Sequence, residues 1–281
     1  MRKEEKEETK TTGHEWDGIK EYDTPDPFWL RLFFYGSLFF ALGYWLLYPA
    51  WPVPNSGGIL GWSSGGEVDE KLKDLEKVRF KYQEQFNKSS FEEVLKDKKL
   101  TKFAMAGGKS AFENNCVVCH GAGGGGNIGY PSLASGAWMW GGEIDDIYTT
   151  IKYGIRSNHD DTRDSAMAAF GKDKILTPKQ IDSLTKYVMN LNNNSYSDDD
   201  ANALFQQNCS SCHGADASGL KEFGAPNLRD AIWLYGKDYN TIYDVIYNGR
   251  AGVMPYWQGK LSDPTIRQLA IYVNQLSGGS D

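Results

Sequence analysis

Cys116-Val117-Val118-Cys119-His120 and, 93 residues further on, Cys209-Ser210-Ser211-Cys212-His213 are two copies of one pentapeptide, C-x-x-C-H. This is the attachment signature for c-type haem: both thiols add across the vinyl groups, and the adjacent histidine reaches the iron. The two copies use all four cysteines and two of the four histidines in the chain. A thioredoxin-like thiol pair needs no histidine at the next position. A structural zinc site gathers its ligands from nearby knuckles, and 93 residues is a long separation for that. Plain disulfides would leave the paired histidines unexplained. The motifs therefore imply two covalently bound haem c groups, one on Cys116 and Cys119, the other on Cys209 and Cys212. His120 and His213 are the first iron ligands.

The similarity extends well beyond the cysteines. AFENNCVVCHG (111–121) matches LFQQNCSSCHG (204–214), and Pro131 and Leu133 match Pro226 and Leu228. Trp138, Gly141, Ile147, Tyr148, Ile151 and Gly154 recur 95 residues later as Trp233, Gly236, Ile242, Tyr243, Ile246 and Gly249. Ile181, Leu184, Tyr187, Val188 and Leu191 recur 85 residues later as Ile266, Leu269, Tyr272, Val273 and Leu276, at helical spacing. Pro178 and Pro264 mark the first turns of these closing helices. Each unit of about 85 residues is thus a helix ending at the haem motif, a loop, a middle helix, a second loop and a closing helix. A domain that small has a marginal core of its own, and a covalently held haem supplies the missing centre. Phe112 and Phe205, four residues before the first cysteine of each motif, are expected to pack on their own units' closing helices near Tyr187 and Tyr272, respectively.

An iron that shuttles electrons without binding substrate needs a second axial ligand, and methionine is the usual partner of histidine. Met254, in Gly252-Val253-Met254-Pro255, is the only methionine of the second unit. In the first unit Met139, Met167 and Met189 compete. Met167 occupies the loop between middle and closing helices, the topological equivalent of Met254, and is preferred. Met189 falls on the closing helix, and Met139 sits beside Trp138. His159, eight residues before Met167, would give a bis-histidine site of lower potential; a polar loop role is preferred. Arg156 and Arg163 could pair with haem propionates or remain solvated loop charges.

Phe28 to Tyr48 contains 21 residues with one charge, Arg31. As a helix it spans ~31 Å, about one hydrocarbon core. Trp29, Tyr44, Trp45, Tyr48 and Trp51 lie towards its ends like an interfacial belt, and Pro49 and Pro52 stop it. The 27 residues before it hold five Lys/Arg and nine Asp/Glu, too acidic for a signal peptide's leading segment, so a retained span is expected. Oxidative attachment chemistry belongs to the periplasm. The expected layout is therefore a cytoplasmic N-terminal segment (1–27), a transmembrane helix (28–51) and a periplasmic linker with surface helices (52–106). Two haem domains follow, 107–193 and 194–281. Within the linker, 53–66 is Gly/Ser-rich, 67–87 reads as a surface helix, and Ser89 or Ser90 caps another. The net charge of −7 and the lack of a basic stripe argue against a nucleic-acid partner.

The two units resemble class I cytochrome c domains. The whole chain is similar to the membrane-anchored dihaem subunit (FixP/CcoP family) of cbb3-type cytochrome c oxidase. The likeness is carried by His14-Glu15-Trp16-Asp17-Gly18-Ile19, by Asp26-Pro27 before the span, and by GIRSNHDDTRDSAMAAFG (154–171). In that family proline usually follows the first ligand methionine, whereas here Ala168 follows Met167. The resemblance implies a mainly α chain, one N-terminal transmembrane helix followed by two tandem class I cytochrome c domains, in the bacterial inner membrane. It implies a relay from a cytochrome c donor through both haems towards a monohaem subunit and a catalytic haem–copper subunit. The chain has no intramembrane histidine and no copper-ligand cluster, so no catalytic residue is assigned, and it is expected to conduct electrons within an enzyme. A membrane dihaem cytochrome serving a quinol-oxidising complex or dehydrogenase is the alternative. A gas sensor or a dihaem peroxidase would need an open iron site. Residues 194–281 carry a net charge of −4 against −1 for 107–193, which is either ordinary solubility charge or a field that steers a basic donor; with steering, donor oxidation slows as salt rises.

Overall fold

The structure, a computed structural model, describes residues 10–48, 57–193 and 195–278. They form two compact units that meet between Arg79 and Phe80.

The first unit opens with an antiparallel hairpin, β1 (Thr11–Trp16) and β2 (Ile19–Tyr22), in which Glu15 faces Lys20 and Trp16 faces Ile19. Asp17 and Gly18 form its turn with φ of +51° and +81°. Positive φ at both central residues is the two-residue turn whose twist suits a hairpin, and Asp-Gly is a preferred pair for it. Helix α1 (Phe28–Leu47) follows, starting after Pro27 and ending at Tyr48. Its apolar side chains stand outward on all sides, Phe33 at 72% exposure and Phe40 at 73%, which fits lipid and not water. It is long and apolar enough to cross a bilayer. Pro49, Trp51 and Pro52, the last part of the expected span (28–51) and the start of the expected linker, lie outside the described residues. Helix α2 (Ser64–Lys88) runs from the first unit into the second.

The second unit begins with the end of α2, then α3 (Phe91–Lys96) and α4 (Lys98–Asn115). Ser90 accepts the Glu93 amide hydrogen, and the Glu93 carboxylate accepts that of Ser90 at 2.7 Å, a reciprocal cap for α3. Only the end of the stretch expected to be surface linker (52–106) supplies core here. Phe86, Val94, Leu100 and Ala104 are buried against Ile271. Each haem motif then follows a repeat helix as one short turn, α5 (Val117–His120) and, after α8 (Asp199–Asn208), α9 (Ser210–His213). The middle helices are α6 (Ile144–Tyr153) and α10 (Tyr239–Asn248); the closing helices are α7 (Pro178–Met189) and α11 (Asp263–Leu276). Two tandem cytochrome c-type units of this helical order make up the chain after the linker.

The closing helices are exchanged. Helix α11 packs on α4 and α6 of the first repeat, and α7 packs on α8 and α10 of the second. One core gathers Phe112, Ile147, Ile151, Ile266, Leu269 and Tyr272; the other gathers Phe205, Ile242, Ile246, Ile181, Leu184 and Val188. Phe112 meets Tyr272 at 5.4 Å between ring centroids, and Phe205 meets Tyr187 at 5.6 Å. This reverses the expected pairings of Phe112 with Tyr187 and of Phe205 with Tyr272. It also interlocks 107–193 with 194–281, which were expected to stand as separate domains.

The residues that distinguish the two helices lie between the matched apolar positions. Ile271 is fully buried on the Phe86 cluster, and Arg267 donates to the carbonyls of Phe86 and Ser89 while stacking on Phe86 and Phe91. At the same places in α7 stand Lys186 and Asp182, an exposed ion pair at 2.9 Å. Helix α7 in the first repeat would press an ammonium into an apolar cluster, which is costly. Helix α11 alone has the face that the end of α2 and α3 require.

Candidate functional site

Both haem motifs are held in the same way. Cys116 and Cys209 end α4 and α8, their amide hydrogens donated to the Phe112 and Phe205 carbonyls, each at 2.8 Å. One helical turn later Gly121 and Gly214, at φ of +75° and +80°, release the chain behind each histidine. The Nδ1 atoms of His120 and His213 lie 3.1 Å from the carbonyls of Pro131 and Pro226. A carbonyl partner places the proton on Nδ1 and leaves the Nε2 lone pair for a metal. Burial holds both imidazoles below the usual histidine range, opposed by those hydrogen bonds, so the neutral ligand form is favoured. Burial, with a smaller contribution from the neighbouring Cys119 or Cys212, pushes the Cys116 and Cys209 thiols up to about 11. A redox-active thiol pair shows the opposite shift.

The methionine loops cross. Ile155 and Met254 exchange two backbone hydrogen bonds of 3.0 Å, and Met167 and Arg250 exchange bonds of 2.9 and 3.2 Å. The same reciprocity continues outward. The Trp257 and Gln258 amides donate to the Lys152 carbonyl, and those of Gly171 and Lys172 donate to Tyr247, the repeat position of Lys152. Met254 thereby packs with Cys116 in the core around Phe112, and Met167 packs with Cys209 in the core around Phe205. The expected pairings, Met167 with His120 and Met254 with His213, are not those the structure brings together.

A cavity of about 640 Å³ is lined by Cys116, Cys119, His120, Cys209, Cys212 and His213, with Met167 and Met254 also in its wall. A narrower recess of about 90 Å³ continues beside Cys116 and His120 and is lined by Trp138 and Met254. A paired thiol set, an imidazole with a free Nε2 and a thioether from the crossing loop suit a covalently held haem at each end. Met139 also lines this space, but its repeat counterpart is Leu234, another wall residue, so apolar filling accounts for it. Met189 is 46% exposed on α7.

His159 accepts the Asp161 amide hydrogen at Nδ1 (3.0 Å) and donates from Nε2 to Gln258 (2.7 Å), between the rings of Tyr153 and Tyr256. Its ring nitrogens are thus engaged away from the cavity wall. Arg163 is bound to Thr150 and Asp146 and lies over Trp140; Arg156 lines the cavity. Trp140 and Tyr235, repeat counterparts not singled out from the sequence, also cross. Trp140 fills the space over Gly224, and Tyr235 lies against Gly129. Their signal was an aromatic residue at matching positions of both copies.

Three family models match the chain: the N-terminal domain of cytochrome oxidase-cbb3, FixP (residues 8–55), cytochrome c (105–192), and cytochrome c oxidase, cbb3-type, subunit III (197–273). Curated relatives match over nearly the whole chain. The cbb3-type cytochrome c oxidase subunit CcoP of Azospirillum sp. (strain B510) is 46% identical, covering 99% of this chain and 98% of its own. Subunit FixP of Bradyrhizobium sp. (strain ORS 278) is 44% identical, with 96% of each chain covered. Subunit CcoP of Cereibacter sphaeroides is 40% identical, covering 97% of this chain and 96% of its own.

Proposed function

The chain belongs to the FixP/CcoP family of cbb3-type cytochrome c oxidase subunits, and we propose that it works as a crossed dihaem relay. It is an electron-transfer subunit anchored in the membrane by one helix and carrying two covalently bound haem c groups. When bound, each haem supplies an iron that takes up and releases one electron. Cys116 and Cys119 hold the first group and Cys209 and Cys212 the second. His120 and Met254 would hold the iron of the first group, and His213 and Met167 that of the second. Held by two of the chain's own side chains, each iron would offer no place for oxygen. The chain conducts, and oxygen reduction belongs to another subunit of the complex.

The reciprocal backbone pairing of the Met167 and Met254 loops is the observation that carries the crossed assignment. The Pro131 and Pro226 carbonyls orient the imidazoles, and the apolar walls keep water from the ligand bonds. The finer partners are a cytochrome c donor on the outer side and the monohaem and haem–copper subunits on the acceptor side. The N-terminal segment is assigned to the cytoplasm and the haem units to the periplasm, because thioether formation takes place there.

The test is purification of the complex from native membranes, with haem typing of the separated subunits. Two covalent haems on this chain, beside b-type haems in an oxygen-consuming complex, are expected. A chain that purifies as a free dihaem protein, with no haem–copper partner, would overturn the oxidase role.

A further inference from the structure

Arg156 has no counterpart in the second repeat, where Ala251 stands at the matching position. Its backbone lies at φ +49°, in the left-handed region that a residue with a side chain occupies only when its surroundings hold it there. From that position Nε donates to the Gly252 carbonyl at 2.6 Å, and Nη1 donates to the Ser165 carbonyl. Ser165 precedes Met167 by two residues, and Gly252 precedes Met254 by two. One guanidinium therefore joins the two methionine loops at equivalent points. A second arginine at 251 would compete for the same two carbonyls, which accounts for a single copy in an otherwise reciprocal arrangement.

We propose that Arg156 is a positioning residue that sets both methionine loops together, so that ligand strength at the two irons is coupled through one side chain. This rests on the crossed dihaem reading. The Ile155–Met254 and Met167–Arg250 pairs hold the loops at the ligands themselves; Arg156 holds their upstream ends. The planar fork of a guanidinium can serve two carbonyls at fixed angles, whereas an ammonium is a single compact donor. Arg156→Lys keeps the charge and loses the fork; Arg156→Gln loses both.

The test uses the full-length chain with both haems attached. Its readouts are a two-component redox titration on the c-type absorbance and the long-wavelength band of methionine bound to ferric iron, with denaturant unfolding alongside. In both variants both midpoint potentials are expected to shift together and the methionine band to weaken at both haems. If Arg156→Gln fails to accumulate with haem, Arg156→Lys carries the comparison. Wild-type potentials in Arg156→Lys would reduce the role to charge and overturn the proposal, as would a shift confined to one haem. A loss of stability with both potentials unmoved would mark Arg156 as merely structural. The wild-type chain separates this inference from its premise. Absence of two methionine-ligated covalent haems there defeats the crossed relay, whereas their presence with silent variants defeats only the role of Arg156.

Discussion

Gly154 and Gly249 end the middle helices with φ of +75° and +65° and ψ close to 180°, a conformation that is essentially glycine-only. A β-carbon on Gly154 would run into the Met254 carbonyl, and one on Gly249 into that of Met167. Each glycine thus admits the methionine loop of the other repeat. The sequence revealed both glycines as a matched pair but not what approaches them, because an invariant offset records equivalence and says nothing about contact. The methionine assignments are open to a direct test. Met254→His is expected to lower one potential by a sizeable part of the ~0.8 V range that axial ligands command. Nuclear Overhauser contacts from the altered haem should lead to Phe112 and Trp138. Contacts to Phe205 and Trp233 instead would return Met254 to its own repeat.

The helical elements were legible to within a few residues from apolar spacing and the proline-marked first turns. Their partners were not. Helices α7 and α11 share one apolar pattern, so either could cover either repeat, and the deciding residues, Arg267 and Ile271 against Asp182 and Lys186, lie outside that pattern. The hairpin was also missed, although Asp17-Gly18 between short β-compatible runs carries its signal. Ile271→Ala should cost about 2–5 kcal/mol, as for deletion of a buried aliphatic side chain. Ile271→Lys should cost more, because it buries an unpaired charge. Lys186→Ile removes only an exposed ion pair, worth about 0.2–1 kcal/mol. Denaturant unfolding of the three variants gives the comparison, and hydrogen exchange should loosen in α3 and α4 for the Ile271 changes alone. Equal losses for Ile271→Lys and Lys186→Ile would contradict the packing that selects α11.

At the scale of the molecule, the two haem units form one compact unit from Phe80 onward. Residues 1–193 and 194–281 expressed separately should each lack a native core. The first would have only α7 to close over the Phe86 cluster, with Asp182 and Lys186 where Arg267 and Ile271 belong. Thermal unfolding of the separate and co-expressed halves checks this: stability near that of the whole chain is expected only when both are present. A solitary 1–193 half as stable as the full chain would refute the interlock. Exchange of the closing helices also sets an order of completion. Domains generally finish folding as they emerge, the N-terminal one first. Here the first haem unit stays open until α11, the last helix among the described residues, has been made. Until then the core beside Cys116 lacks the side chains of Ile266, Leu269 and Tyr272. A chain interrupted anywhere before α11 leaves the first haem unit without its closing helix.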